Sequence, residues 1–363
     1  MNDPRPINPL TLGLFEKRIE GDDCLLELAR RRFQEAGMGA EMHAGTPEQL
    51  DGVLKFRPAP DAPVVVHLPR DFNLADENSR HRMVDFAARF AGRVHGLVLH
   101  DHRDMETRPE EFLRAAMEIN SRLQEIDRGP LLFVEYAAGL EPDVFANFFE
   151  SIRGLERISA CIDVSHVGIR QTQRAFAQIH PGEDVCALKS QSSKLPPVMA
   201  DVDAAMTSAL PTVLDLIAAI GALGKPVHFH LHDGHPLSTF SPFGVSDHLS
   251  FLTEIPLGFE HRCRRSVPLM FGPAGLSQIV AQALKTIGNE RVSFTLEIHP
   301  TFERSSLGEA AALFGHWRDK TNAEKMNHWL AVLQANHRLL REEINAALGA
   351  GARPGKQETP FAS

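Results

Sequence analysis

Residues 227–236 read Val227-His228-Phe229-His230-Leu231-His232-Asp233-Gly234-His235-Pro236, four of the chain's 18 histidines in ten positions. The alternation of polar with apolar residues is that of a β-strand. A period of two sets His228, His230 and His232 on one face and Val227, Phe229 and Leu231 on the other. Neutral imidazole is the commonest metal-binding side chain. The row therefore predicts a strand whose inward face ends at a metal, the alternative being a polar edge strand with a chance cluster of histidines.

The rest of the chain favours the first reading. Leu10–Leu14, Gly39–His43, Pro63–Leu68, Val94–His100, Pro130–Tyr136, Ile158–Val164 and Val292–Ile298 are further short apolar runs; with Pro226–His232 they make eight. Helical patterns separate them, at Cys24–Ala36, Pro47–Lys55, Glu77–Phe90, Pro109–Ile126, Glu141–Ile152, Asp201–Leu223 and Gly275–Ile287. Strands alternating with helices imply parallel βαβ units, and eight of them predict an α/β fold, a (β/α)8 TIM barrel, over residues 1–310. A doubly wound sheet lacks its usual support, since neither G-x-G-x-x-G nor G-x-x-x-x-G-K-[ST] occurs. Long loops are expected after strands six (167–200) and seven (234–272), at the end of the barrel where active sites lie. A C-terminal helical extension at 311–348, helical from Asn322 to Leu348, should pack on the barrel, followed by a flexible tail at 349–363.

Composition narrows the class. The hydrophobic share of 43% suits a large core, and a net charge of −9 without a basic stripe argues against a nucleic-acid partner. Cys24, Cys161, Cys186 and Cys263 form no C-x-x-C pair, which reads as reduced thiols. No apolar run of about 18 residues predicts a membrane span, and the N-terminus has no signal-like apolar region. A soluble, cytoplasmic protein is expected.

The informative pattern is how the strands end. Strand three ends on His67, strand four on His100, strand five on Glu135, strand six on Asp163-Val-Ser-His166, strand seven supplies His230, and strand eight ends on Glu297. Barrel strands bring their C-terminal ends to one mouth. Several carboxylates buried together need cations or protons to neutralise them. Three carboxylates and an imidazole suit one divalent metal ion, Mn2+ foremost, with Zn2+, Co2+ or Mg2+ as alternatives.

Glu135 after strand five, Asp163-x-x-His166, His230-Leu-x-Asp233 and Thr295-Leu-Glu297 resemble, in order and spacing, the xylose isomerase-like TIM-barrel superfamily over roughly residues 10–300. That group includes sugar isomerases and epimerases, inosose dehydratases and type IV apurinic endonucleases. The resemblance implies Glu135, Asp163, His230 and Glu297 as metal ligands. It places His67, His100 and His166 against substrate or further metal ions; His232 is expected as a ligand or as a lining of the substrate pocket, and Asp233 as a lining of that pocket. Arg70, Asp101 and His102 follow the mouth strands and can line it. For His228 a hydrogen-bonded core role is expected. His235 and His299 read as solvated loop residues or supports, and Glu41 and His43 as structural or pocket residues. Trp317, Trp329 and Phe314 should pack outside the barrel, and Phe240, Phe243 and Phe251 should cover the site or an oligomer interface. Arg262, Arg264 and Arg265 read as a solvated turn.

The activity these expectations describe is a metal-dependent isomerase or epimerase of a sugar or polyol-ketone. Glu135 and Glu297 would move a proton through a metal-stabilised enediolate. A dehydratase of an inosose-like ketone needs the same site. An apurinic endonuclease-like zinc hydrolase is the third alternative; against it, Asp247 and His248 are adjacent instead of spaced as Asp-x-His, which would leave a third zinc short of ligands. The expected partners are a small carbohydrate or polyol and, from the resemblance, a second copy of the chain.

Overall fold

Every apolar run is a strand of the barrel in the computed structural model, which describes residues 10–15, 23–189, 192–238, 246–299 and 323–351. The barrel strands are β1 (Leu10–Phe15), β2 (Gly39–His43), β3 (Val64–His67), β4 (Gly96–His100), β5 (Leu131–Glu135), β6 (Ile158–Asp163), β7 (Val227–Leu231) and β10 (Val292–Leu296). They close in the order β1-β10-β7-β6-β5-β4-β3-β2, and all the pairings are parallel. Parallel strands covered on both faces read as near-continuous apolar runs, and Val64-Val65-Val66 is buried throughout.

Around them pack α1 (Asp23–Ala36), α2 (Pro47–Leu54), α3 (Glu77–Arg89), the single turn α4 (Asp104–Thr107), α5 (Pro109–Gln124), α6 (Pro142–Ser151), α7 (Val164–Ile179), α8 (Leu195–Met206), α9 (Ala209–Gly221), α10 (Gly272–Thr286) and α11 (Ala323–Gly351). Their starts follow local chemistry. The Asp76 carboxylate accepts the Ser79 N–H at 2.7 Å to open α3, and Thr46 caps α2 ahead of Pro47. In α5 the spacing of Phe112, Ala115, Ala116, Ile119 and Leu123 makes one stripe, and that stripe is the buried face. α11 lies against α1 and α10 and runs to Gly351, into the stretch expected as a tail. The expectations for Phe240, Phe243, Phe314, Trp317 and residues 352–363 lie outside the described residues.

Both long loops turn out to carry structure. Asp163 caps α7 through the His166 N–H, so a helix starts at once after β6 where a loop was expected. The segment after β7 contains an antiparallel hairpin, β8 (Glu254–His261) and β9 (Arg264–Pro268), turned by Arg262 and Cys263 in left-handed conformations. Phe176, Leu195, Met199 and Val202 from the first insertion meet Leu249, Ile255, Leu257 and Val267 from the second in a core of their own. The window Leu195–Gly221 is apolar and long enough to cross a membrane by composition, but it is two helices, which pack on α6, α7 and α10. The four cysteines form no disulfide.

Strand spacing leaves no slack where β2 meets β3. A Cβ on Gly39 would stand 2.4 Å from the Pro63 ring and 2.5 Å from its carbonyl oxygen. Gly39→Ala is expected to lower stability by about 1–3 kcal/mol through overpacking, read as an earlier urea midpoint with an unchanged m-value.

Candidate metal centre at the barrel mouth

Inside the barrel, Leu12, Val65, Val98, Phe133 and Cys161 form an apolar layer. Two residues further along a strand the side chain faces the same way. The next inward positions are therefore His67, His100, Glu135 and Asp163, with His228 and His230 stepping up β7. The parallel register sets His100 beside Glu135 and Asp163 beside His230. A polar layer thus lies directly on an apolar one.

Its centre is Glu135. His67 Nε2 lies 3.2 Å and His100 Nε2 3.4 Å from Glu135 Oε2, and His230 Nδ1 lies 3.3 Å from Oε1. His230 Nδ1 is also 2.9 Å from Glu297 Oε2. Although these atoms crowd together, His230 Nδ1, Glu135 Oε2 and Glu297 Oε2 are buried and make no aligned hydrogen bond. The other ring nitrogens are committed. His67 Nδ1 donates to the Leu68 carbonyl at 3.0 Å, and His230 Nε2 faces Glu41 Oε1 at 2.9 Å. Buried polar groups are almost always paired, and imidazoles held by one nitrogen with the other turned to a carboxylate cluster are arranged as metal ligands are. The donor set therefore fits a divalent cation.

A second group adjoins it. Asp163 Oδ1 caps α7, and Asp163 Oδ2 lies 2.8 Å from His232 Nε2. His166 lies between Asp163 (3.4 Å) and Asp247 (3.1 Å). His248 is 2.6 Å from Asp247 and 3.4 Å from Glu297, so Glu297 joins the two groups. His248 stacks between His232 and His299, with centroids 4.3 and 4.2 Å away.

Charge sets the protonation. Burial disfavours the His166, His230 and His248 imidazolium forms, but the surrounding carboxylates outweigh it: His166 and His230 rise well above their ordinary value and His248 rises to about 9. Burial likewise opposes ionisation of Glu135, Glu297 and Asp247, and the neighbouring imidazoles hold all three well below the usual carboxylate range. His100 goes the other way; burial brings it down to about 4 despite Glu135.

Of the four expected ligands, Glu135, His230 and Glu297 meet, whereas Asp163 faces the second group. His67, His100 and His166 line the same mouth. His232, expected in the pocket, has both nitrogens engaged, since its Nδ1 accepts the His248 N–H at 2.8 Å. Asp233 is not brought to the cluster: its carboxylate accepts the N–H groups of Gly234, Phe271 and Gly272, holding the start of α10. Asp101 accepts N–H groups of Ala137 and Ala138, and the exposed His102 faces Asp104. His228 is a hydrogen-bonded core residue. His235 and His299, expected as loop residues, are both buried, and so is Phe251, which lies in the main core rather than over the site. Trp329, on α11, is buried and donates its ring N–H to the Ile298 carbonyl at 2.8 Å. Arg262 pairs with Asp203 at the hairpin turn.

Asp247 and His248 correct the expectation most. They reach the mouth although adjacent, because His248 takes a left-handed backbone (φ 62°) held by its N–H on His232 and its carbonyl on the His299 N–H. A non-glycine residue in that region is uncommon and clusters at functional sites. Glu41, expected as a structural or pocket residue, lies against His228 and His230; its signal in the sequence is Glu41-Met42-His43, polar in phase on a buried strand.

The fold and its mouth define a (β/α)8 barrel with a candidate metal centre. No protein-family profile and no curated protein matches the chain. Among solved structures it is similar to a xylose isomerase-like TIM barrel protein from Mycobacterium smegmatis in complex with magnesium (12% identity, TM-score 0.42, covering 91% of this chain and 98% of that one). It is also similar to an endo-β-1,4-mannanase from Thermotoga petrophila (10%, TM-score 0.47, 96% and 79%) and to a putative α-L-fucosidase from Bacteroides thetaiotaomicron (10%, TM-score 0.40, 90% and 98%).

The raised imidazoles contribute stability that is present below their ordinary pKa of 6.5 and lost as pH rises, for His248 through about 9. Cation binding must displace those protons. Metal-free protein is expected to lose thermal stability between about pH 6.5 and 9, and added Zn2+ or Co2+ should raise the melting temperature more at the alkaline end of that window. Melting curves with and without chelator that coincide at every pH would contradict the centre.

Proposed function

We propose that the chain is a divalent-metal-dependent hydrolase of a small phosphoester, with more than one cation in the barrel mouth. The observation that carries this reading is the overlap of the donor groups. His67, His100 and Glu135 form one compact set and His248, Glu297 and His299 another; His230 links Glu135 to Glu297 between them. One four- to six-coordinate ion cannot use so many donors, and imidazole-rich sites bridged by carboxylates suit paired zinc-type ions. His67, His100 and Glu135 would hold one cation, and Glu135, His230 and Glu297 a second. Such ions, when bound, neutralise a transferring phosphoryl group and lower the pKa of water.

The chain's own residues supply the rest. His100 and His166 have the most exposed side chains of the two groups, at 16% and 17%, and mark the opening. Asp163 and Asp247 keep His166 protonated, which equips it to give a proton to a leaving oxygen. Exposed Arg70 stands near enough to His100 for its charge to act on that ring, a position suited to an anionic substrate group. The net charge of −9 favours a small substrate over a nucleic acid.

The arrangement of Glu135 and Glu297 on either side of His230 Nδ1 favours a second reading, the isomerase or epimerase of a small sugar or polyol-ketone, with a dehydratase as its close variant. There the two carboxylates remove and return a proton at the α-carbon.

Protein loaded with Zn2+, Mn2+, Co2+ or Mg2+ is expected to release phosphate from a panel of small phosphoesters. Glu135→Gln and Glu297→Gln should each lower kcat about 100-fold or more, and Arg70→Ala should raise KM about tenfold with little change in kcat. Exchange of solvent deuterium into a ketose without phosphate release, together with one bound ion per chain, would favour the isomerase and overturn the hydrolase.

A further inference from the structure

Glu41 is a buried carboxylate by the barrel mouth that neither reading uses. It lies on β2 with no exposed surface, beneath the mouth. Its Oε1 is 2.9 Å from His230 Nε2 and its Oε2 is 3.0 Å from His228 Nε2. Thr295 donates its hydroxyl to Oε2 at 2.5 Å, and His228 Nδ1 is held by the Ser293 hydroxyl at 2.6 Å. Both carboxylate oxygens are therefore engaged, in contrast to Glu135 and Glu297, whose Oε2 atoms lack aligned partners. This difference separates a supporting carboxylate from those that face a cation.

We propose that Glu41 is the positioning residue of the metal centre: it accepts a hydrogen bond from His230 Nε2–H, fixes the ring, and leaves Nδ1 directed at Glu135 and Glu297. An imidazole can bind a cation through only the nitrogen that carries no proton, and the partner of the other nitrogen decides which one that is. His228 and Thr295 hold Glu41 in turn, so the orientation passes from β10 through β2 to β7. His228 is thereby a brace for Glu41, which accounts for a histidine one step below the mouth.

The inference rests on the metal-centre reading, and the experiment separates the two. Co2+ is titrated into the full-length chain and followed by its visible absorption and by competition with a chelating dye, at a temperature well below unfolding. Glu41→Gln keeps the shape and removes the charge; Glu41→Asp keeps the charge and retracts it by one methylene. Both variants are expected to bind Co2+ about 10- to 100-fold more weakly than the wild type, with an altered absorption spectrum. Wild-type affinity and spectrum in Glu41→Gln would overturn the proposal alone and leave the metal centre standing. Restoration by Glu41→Asp would also overturn it, because charge in the core would then suffice without placement. A wild-type chain that binds no Co2+ would overturn both.

Discussion

Five carboxylates converge at one end of this barrel: Glu41, Glu135, Asp163, Asp247 and Glu297, each buried. Left alone, such a set would destabilise the fold severely. Every one of them meets imidazole, and the neighbouring imidazoles hold Glu135, Asp247 and Glu297 well below the usual carboxylate range. Much of the architecture of the mouth follows from this constraint. Histidine at the strand ends neutralises these carboxylates while protonated and becomes a candidate metal ligand once it loses that proton. Lysine or arginine would neutralise the charge permanently and leave no ligand.

The eight strands were legible because parallel strands buried on both faces are written as short apolar runs, and their polar last residues told which end was the mouth. Glu135, His230 and Glu297 were legible for the same reason, lying on strands or immediately after them. What local pattern could not show was which nitrogen or oxygen each residue has left. Asp163 and His230 are neighbours in register, yet the helix cap and His232 engage the one while the other keeps Nδ1 available. Asp233 belongs to the His-x-x-Asp motif by spacing, but in the fold its carboxylate receives the N–H groups of Phe271 and Gly272 at the start of α10 and that of its neighbour Gly234. Glu41 could not be ranked from β2 alone, because its partners are nearly two hundred residues away.

The insertions after β6 and β7 also escaped a reading by periodicity. Each is too short to bury a core alone; Phe176, Met199 and Val202 need Ile255, Leu257 and Val267. Their joint core anchors the segment that ends in Asp247 and His248, and a bridge from Leu249 to Asp233 ties it to the end of β7. The left-handed turn at His248 then does by conformation what a spaced pair would do by sequence. Substituents of the mouth therefore depend on packing some distance from it.

That dependence has a temporal side. Glu41 and His230 are 189 residues apart, and Thr295, which steadies Glu41, lies 254 residues beyond it. Contacts of such separation form late, after the entropy of closing the intervening chain has been overcome. During synthesis the early strands must leave the ribosome with Glu41, His67 and His100 unmatched, and the last strand brings Thr295 and Glu297 together with them. The cluster is thus a signature of barrel closure: a chain truncated before β10 would lack the donors that complete it, and only a finished barrel can offer the whole set.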